Sequence, residues 1–420
     1  MDKIKKLFSR FGPGFITGAS DDDPSGIGTY SQTGALFGFN QLWTALFSFP
    51  FMTIVQEMCG RIGLVTGKGL AGVIKTHYSR PITYFAVSIL LLANTVNIGA
   101  DLGAMASSAQ LLLGINFIFW LIGIVVASLF LQVFVPYKIY AKVLKYFTFS
   151  LLAYVITAFV VRNDWGEALY KTVVPSFMFD RNYLMNIVAI LGTTISPYLF
   201  FWQTSEEVEE EVEKHELRSM GAGIPKFTRS DIKTMRIDTI LGMFFSNIVM
   251  FFIIFTTAST LGKHGINDIQ TANQAAEALR PLAGNFAYLL FSIGIIGTGL
   301  LAVPVLAGSA SYALSEIFGW REGLYRKLKR AHGFYAIITI ATLIGLLINF
   351  TPIQPFKLLY YTAILNGICA PPLLILIMLI SNNKKIMGEN TNNYFSNIIG
   401  WIITVVMGIS AAALLITLGK

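Results

Sequence analysis

A chain of 420 residues with 54% hydrophobic and only 13% charged side chains is too apolar for a soluble domain, where about 25% of residues carry charge. Its formal net charge of +8 does not mark a nucleic-acid partner, because the basic residues lie in short segments between apolar runs and not in one patch. Its two cysteines, Cys59 and Cys369, fall in or at the ends of apolar runs and argue against a disulfide framework.

Taken in chain order, apolar runs of about 20 residues recur along nearly the whole length. Each is long enough to cross a ~30 Å hydrocarbon core. Backbone groups in lipid must be satisfied internally, so the runs predict helices. Eleven spans are expected, centred near Gly26, Phe51, Leu92, Val125, Ala153, Ile195, Met250, Leu300, Thr342, Ala370 and Val406. The fold class expected is an all-α integral membrane protein. The first run is not a secretory signal, because it contains Asp21, Asp22 and Asp23 and ten more spans follow. Roughly 24 of the 31 Lys and Arg residues fall on one side. Among them are Lys3, Lys5, Lys6, Arg10, Arg321, Arg326, Lys327, Lys329 and Arg330, against Arg162, Lys171, Arg181, Lys263, Arg280, Lys357 and Lys420 on the other. The positive-inside rule then puts the N-terminus in the cytoplasm and, with an odd number of spans, the C-terminus outside the cell membrane.

Spans one and six share an anomaly. The first carries Asp23-Pro24-Ser25-Gly26-Ile27-Gly28, the sixth Gly192-Thr193-Thr194-Ile195-Ser196-Pro197-Tyr198. Proline removes a donor and frees a carbonyl. Two such interruptions five spans apart predict an inverted repeat of five plus five helices with helices 1 and 6 broken, a LeuT-like arrangement whose substrate site lies at the breaks. Two ordinary proline kinks are the plainer reading; the adjacent acids favour the breaks. The chain then forms one transmembrane transporter domain over 1–420, with a first repeat at about 12–163, a second at about 184–381 and an extra helix at about 395–418. The longest polar stretch, Glu206 to Asp238, reads as a helix extending into the cytosol with Glu210 and Lys214 paired at i,i+4, or as a cation-attracting vestibule.

Acids inside spans are costly and point to function. Asp23, abutting Pro24, is best placed at the break, with Asp21 and Asp22 on its cytoplasmic side along the ion path or serving structure. On an intact helix neighbours point about 100° apart, so three consecutive acids cannot share one target. Asp101 in span three follows Asn97 by about one turn and Asn94 by nearly two; it reads as a second cation site, a relay member or a buried structural partner. Asn366 and Gly367, before Pro371 and Pro372, suggest a break in span ten, with Asn366 lining the path or packing helices. The four histidines show no metal-enzyme spacing, and neither a nucleotide-binding loop nor a nucleophile elbow occurs. An enzyme is therefore not expected.

Several strings together resemble the Nramp family of metal transporters. They are Gly12-Pro13-Gly14-Phe15, then Asp23-Pro24-Ser25-Gly26, then Gln32-Thr33-Gly34-Ala35. Gln56 with Arg61, Gly63, Val65, Thr66 and Gly67 fits as well, as do Leu282 with Gly284, and Lys385-Ile386-Met387-Gly388. The resemblance covers nearly the whole chain. It implies that Asp23 is the family's metal-binding aspartate. The family's Asn partner is replaced by Gly26, its metal-binding Met by Ser196, and the following Pro-His by Pro197-Tyr198. Of the acids that serve proton movement in span three, Asp101 remains and Ala104 stands for the other.

That pattern resembles the Nramp-related magnesium transporter branch. A thioether favours softer metals, while carboxylate, carbonyl and water suit Mg²⁺, which keeps several of its waters. The expected metal contacts are Asp23, Ser25, Gly26, Thr193 and Ser196, with Asp22, Asp101, Tyr198 and Asn366 along the path or behind the ligands. The expected partners are divalent metal ions, Mg²⁺ and Mn²⁺, as transported substrate, and the lipid bilayer. Neither cofactor, nucleic acid nor obligate protein partner is expected, and proton coupling is not expected to be obligatory. The competing readings are a proton-coupled Mn²⁺ or Fe²⁺ importer, a sodium-coupled amino-acid carrier, and a membrane receptor or scaffold without transport.

Overall fold

A computed structural model describes residues 12–137, 139, 148–178 and 180–418. Lys3, Lys5, Lys6, Arg10 and Lys420, used above to set the topology, lie outside them. Fifteen principal helices carry the fold in this order: α1 Pro13–Asp21, α2 Pro24–Phe37, α3 Trp43–Thr66, α4 Leu70–His77, α5 Arg80–Leu113, α6 Phe117–Phe134, α7 Leu152–Val160, α8 Trp165–Val173, α9 Arg181–Thr194, α10 Pro197–Glu213, α11 Arg229–Thr260, α12 Ala287–Phe318, α13 His332–Ile348, α14 Pro355–Ser381 and α15 Tyr394–Leu418. Among the described residues, seven helical segments are long and apolar enough to cross a membrane, and two shorter apolar helices accompany them. The α1–α2 pair and α3 complete eleven passes, and every predicted centre falls on one of them.

The helix ends follow local chemistry. Asn116 accepts from the Ile118 amide at 2.9 Å to start α6, and Asp180 accepts from Tyr183 at 2.9 Å to start α9. A reciprocal capping box between Thr228 and Asp231 starts α11.

The two predicted breaks have the same build. After α1, Asp22 (φ −83°, ψ 47°) leaves the helix, Asp23 (φ −69°, ψ 171°) is extended, and Pro24 opens α2. After α9, Ile195 (φ −125°, ψ 60°) and Ser196 (φ −82°, ψ 140°) do the same before Pro197 opens α10. Proline forces the preceding residue out of the helical region and is itself preorganised for a first turn. The sequence thus specifies each break within two residues.

These half-helices sit inside the bundle, and backbone-to-backbone contacts fix them. A Cβ on Gly18 would lie 2.3 Å from the Gly242 carbonyl group of α11, and one on Gly14 would lie 2.6 Å from the Thr239 amide nitrogen. On the other side, a Cβ on Gly192 would meet the Ala363 carbonyl oxygen of α14 at 2.1 Å, and one on Gly63 the Thr204 oxygen of α10 at 2.2 Å. Small residues at such crossings let helices pack where water provides no drive. Gly242→Leu is therefore expected to lower stability by at least about 1–3 kcal/mol, read as an earlier thermal transition of the detergent-purified protein.

The outer helices show the opposite pattern. Phe119, Ile122, Val126 and Phe130 on α6 are exposed at helical spacing, as are Ile398, Trp401, Ile402, Val405 and Ile409 on α15. Faces of this kind suit lipid and not water.

Two expectations are corrected. Span ten has no break: α14 runs through Pro371 and Pro372 without interruption. Its prolines forgo two backbone hydrogen bonds, and one turn earlier Gly367 lets α14 approach Val188 of α9 closely, a Cβ there standing 2.3 Å from the Val188 oxygen. The acid-rich stretch is solvated only in part. α10 does extend to Glu213, and Lys214 pairs with Glu210 at 3.0 Å, yet Glu206, Glu207, Glu209 and Glu211 are buried. Hydrogen-bond partners make this possible: Gln203, one turn earlier on α10, donates to Glu207 at 2.8 Å, and from distant segments the Tyr312 hydroxyl and Leu324 amide donate to Glu209. A cavity of about 50 Å³ remains at the start of α1, lined by Glu207, Glu210, Asp231 and Asp238 together with Lys214. Cys59 and Cys369 are buried and unbonded to each other.

Candidate functional site

Asp23 caps α2 and is buried. Its Oδ1 accepts from the Ser25 hydroxyl at 2.8 Å and the Gly26 amide at 2.7 Å. Its Oδ2 accepts from Asn97 Nδ2 on α5 at 3.0 Å. The same Asn97 amide donates to Asp101 Oδ2 at 3.2 Å, and Asn97 Oδ1 accepts from Asn366 of α14 at 3.1 Å. Asp23, Asn97, Asp101 and Asn366 thus form one buried network joining the first break to α5 and α14. Asp101 Oδ1 has no hydrogen-bond partner within it.

The second break faces the first across Gly26. A Cβ there would stand 3.1 Å from the Asp21 carbonyl oxygen, 3.4 Å from Asp23 Oδ1 and 3.4 Å from Thr193 Oγ1. The three atoms nearest that point, beyond the adjacent residues and the helix's own backbone, are thus oxygens drawn from both breaks. Ser196 turns its hydroxyl back onto its own helix end, donating to the Gly192 and Thr193 carbonyls at 2.6 and 2.8 Å. Tyr198 donates to the Ser20 carbonyl at 3.1 Å, tying α10 to the end of α1.

Asp21 and Asp22 form a separate group. Ser246 of α11 donates to Asp21 Oδ2 at 2.7 Å and to Asp22 Oδ1 at 3.2 Å. Asp238, also on α11, accepts from the Gly12 and Phe15 amides at 3.0 and 3.1 Å and so anchors the start of α1. Among the described residues, no three His, Cys, Asp or Glu side chains converge as a ready metal cage. Of the residues expected from the sequence, Asp23, Asp101 and Asn366 share one network bridged by Asn97, Ser25, Gly26 and Thr193 lie beside Asp23, and Asp22, Ser196 and Tyr198 bond elsewhere. Sequence reasoning had marked Asn97 only by its spacing to Asp101. It missed Ser246 and the clamp at Asp238, since a lone serine in an apolar run and an acid at a helix start carry no signal of their own.

The sequence profile of the family described as Natural resistance-associated macrophage protein-like (Nramp) matches residues 14–417. The chain belongs to the Nramp family. It is 25% identical over 425 residues to the divalent metal cation transporter MntH of Caldanaerobacter subterraneus subsp. tengcongensis, covering 99% of this chain and 95% of that protein. It is 22% identical to MntH of Klebsiella pneumoniae (strain 342), covering 96% and 92%. The structure of the Eremococcus coleocola manganese transporter, in complex with an aromatic bis-isothiourea substituted compound, superposes with a TM-score of 0.74 at 16% identity, covering 97% of this chain and 86% of that one. Mhp1 in its inward-facing conformation superposes at 0.54 with 15% identity, covering 97% and 89%. These likenesses establish the Nramp fold, with its LeuT-like core, in a multi-pass membrane protein.

Within that fold, Asn97 holds Asp23 and Asp101 at once. Asn97→Leu is expected to lower transport about 10- to 100-fold, as loss of a group that orients a ligand does, and to bring an earlier thermal transition of the purified protein, because buried Asp23, Asp101 and Asn366 each lose a partner. Initial rates in proteoliposomes check this.

Proposed function

We propose that this Nramp protein carries divalent metal ions across the membrane, with Mg²⁺ as a substrate and Mn²⁺ tolerated, and without obligatory proton coupling. The three oxygens that converge beside Gly26, from Asp21, Asp23 and Thr193, carry this reading. Hard oxygen ligands suit Mg²⁺ and accept Mn²⁺ as well. Asp23 supplies the charge, Ser25 and Ser196 offer hydroxyl oxygens, and Thr193 offers its carbonyl or hydroxyl to the ion or its waters. Asp22, Asp101, Tyr198 and Asn366 line the path or hold the ligands. Ca²⁺ wants about six to eight oxygens at about 2.3–2.6 Å and is poorly matched by one carboxylate with neutral oxygens. In this reading the N-terminus is cytoplasmic, and the chain forms one transporter domain of two five-helix repeats with α15 added.

Absence of coupling is argued from Tyr198 and Ala104, neither of which exchanges protons usefully near neutral pH. A second reading, a proton-coupled Mn²⁺ carrier, draws support from the relatives named as divalent metal and manganese transporters and from the buried Asp101. Proteoliposomes loaded with metal and pH reporters separate the two. Millimolar Mg²⁺ is expected to enter and to compete with Mn²⁺, while the lumen keeps its pH. Acidification at a fixed ratio to metal entry, with Mg²⁺ excluded, would establish the second reading instead.

A further inference from the structure

We infer that Asp21, Asp22 and Ser246 form a second station for a hard divalent cation, distinct from the one at Asp23 and set at the end of α1. The inference rests on the metal-carrier reading above and adds a site to it.

The first observation is a mismatch between the three consecutive acids. Asp23 receives three donors, which suffice to hold a buried carboxylate. Asp21 and Asp22 are as deeply buried but share one hydroxyl, that of Ser246. A hydroxyl carries a single proton, so at any moment it serves one of the two. Asp21 Oδ1 and Asp22 Oδ2 have no hydrogen-bond partner at all. Among the described residues, neither acid is paired with a lysine, arginine or histidine. Buried charge without a counter-charge is strongly unfavourable, and the C-terminal end of α1 adds further negative potential at the same place.

The second observation is geometric. On an intact helix the two side chains would diverge by about 100°. Here the helix ends between them, and the backbone turn at Asp22 (φ −83°, ψ 47°) lets both reach Ser246. Ser246 is itself held in place, because α11 lies against α1 in backbone contact at Gly18 and Gly242. Two carboxylates and a hydroxyl oxygen on a fixed frame are a hard donor set of the kind that takes Mg²⁺ or Mn²⁺. The station lies on the α1 side of Asp23. At the far end of α1 is the cavity lined by Glu207, Glu210, Asp231 and Asp238. An ion released by Asp23 toward that cavity is received by Asp21 and Asp22, and successive sites of this kind allow tight binding without trapping the ion.

Equilibrium dialysis of the purified full chain against Mn²⁺ tests this. About two ions per chain are expected in the unaltered protein, and about one in Asp21→Asn/Asp22→Asn, with that remaining ion lost on adding Asp23→Asn. Ser246→Ala, a small change that keeps both acids, should weaken the second class of binding about tenfold while leaving the first. Electron paramagnetic resonance of the unaltered protein needs no variant: two neighbouring Mn²⁺ ions broaden each other's signal at two equivalents and not at one. Binding of about one ion, unbroadened and unchanged in Asp21→Asn/Asp22→Asn, would overturn the second station while leaving the proposed function standing, and would mean that the two acids share a proton. Absence of any Mn²⁺ or Mg²⁺ binding and transport in the unaltered chain would overturn both.

Discussion

Asp23→Ala should abolish metal uptake, lowering initial rates in proteoliposomes at least about 100-fold, beyond the 10- to 100-fold typical of groups behind a ligand. Asp23 is the charge at the first break and the acceptor of Ser25, Gly26 and Asn97. Its removal takes away the proposed ligand and leaves Asn97 with a vacated donor. The fold should survive, because the break is set by Pro24 and by the packing of α1 on α11, neither of which uses the carboxylate. The control is Asp23→Asn, which keeps the shape and most hydrogen bonds but loses the charge. Normal uptake by either variant, at equal expression and equal thermal transition, would remove the proposed site.

Gly26→Asn combined with Ser196→Met should shift preference from Mg²⁺ toward Mn²⁺ by roughly tenfold in competition, as an amide and a thioether replace a hydrogen and a hydroxyl. The structure adds a cost that the residue types alone do not show. A Cβ on Gly26 enters at 3.1 Å from the Asp21 carbonyl, so the break must yield by a few tenths of an ångström. Met at 196 also gives up the hydroxyl that serves the Gly192 and Thr193 carbonyls. Total transport should therefore fall while the Mn²⁺ to Mg²⁺ ratio rises. Uptake competition across Mg²⁺, Mn²⁺ and Ca²⁺ reads both quantities. An unchanged ratio would show that these two positions do not set selectivity.

The spans were legible because apolar length is a local property, and the breaks because proline acts on its immediate neighbours. Asn97 and Asp101 could be paired through helical spacing. What escaped was long-range. Burial of Glu209 depends on Tyr312 and on the Leu324 amide, more than a hundred residues away, so the composition of α10 alone suggested a solvated helix. The role of Ser246 depends on which turn of α11 lies beside the end of α1, a register set by Gly18 and Gly242. α14 continues through two prolines and lies against α9 in close backbone contact at Gly192 and Gly367, and no pattern within α14 shows either.

The two breaks, alike in backbone, differ electrically. An α-helix carries about half a positive charge at its start. At α2 that partial charge faces the carboxylate of Asp23, which caps it. At α10 it is met by no side-chain cap, because Ser196 points its hydroxyl backward. A bare cation between the breaks is attracted from one side and repelled from the other. A water kept on the α10 side holds the cation farther from that helix start and screens the repulsion. The field at the site thus favours an ion that arrives still partly hydrated.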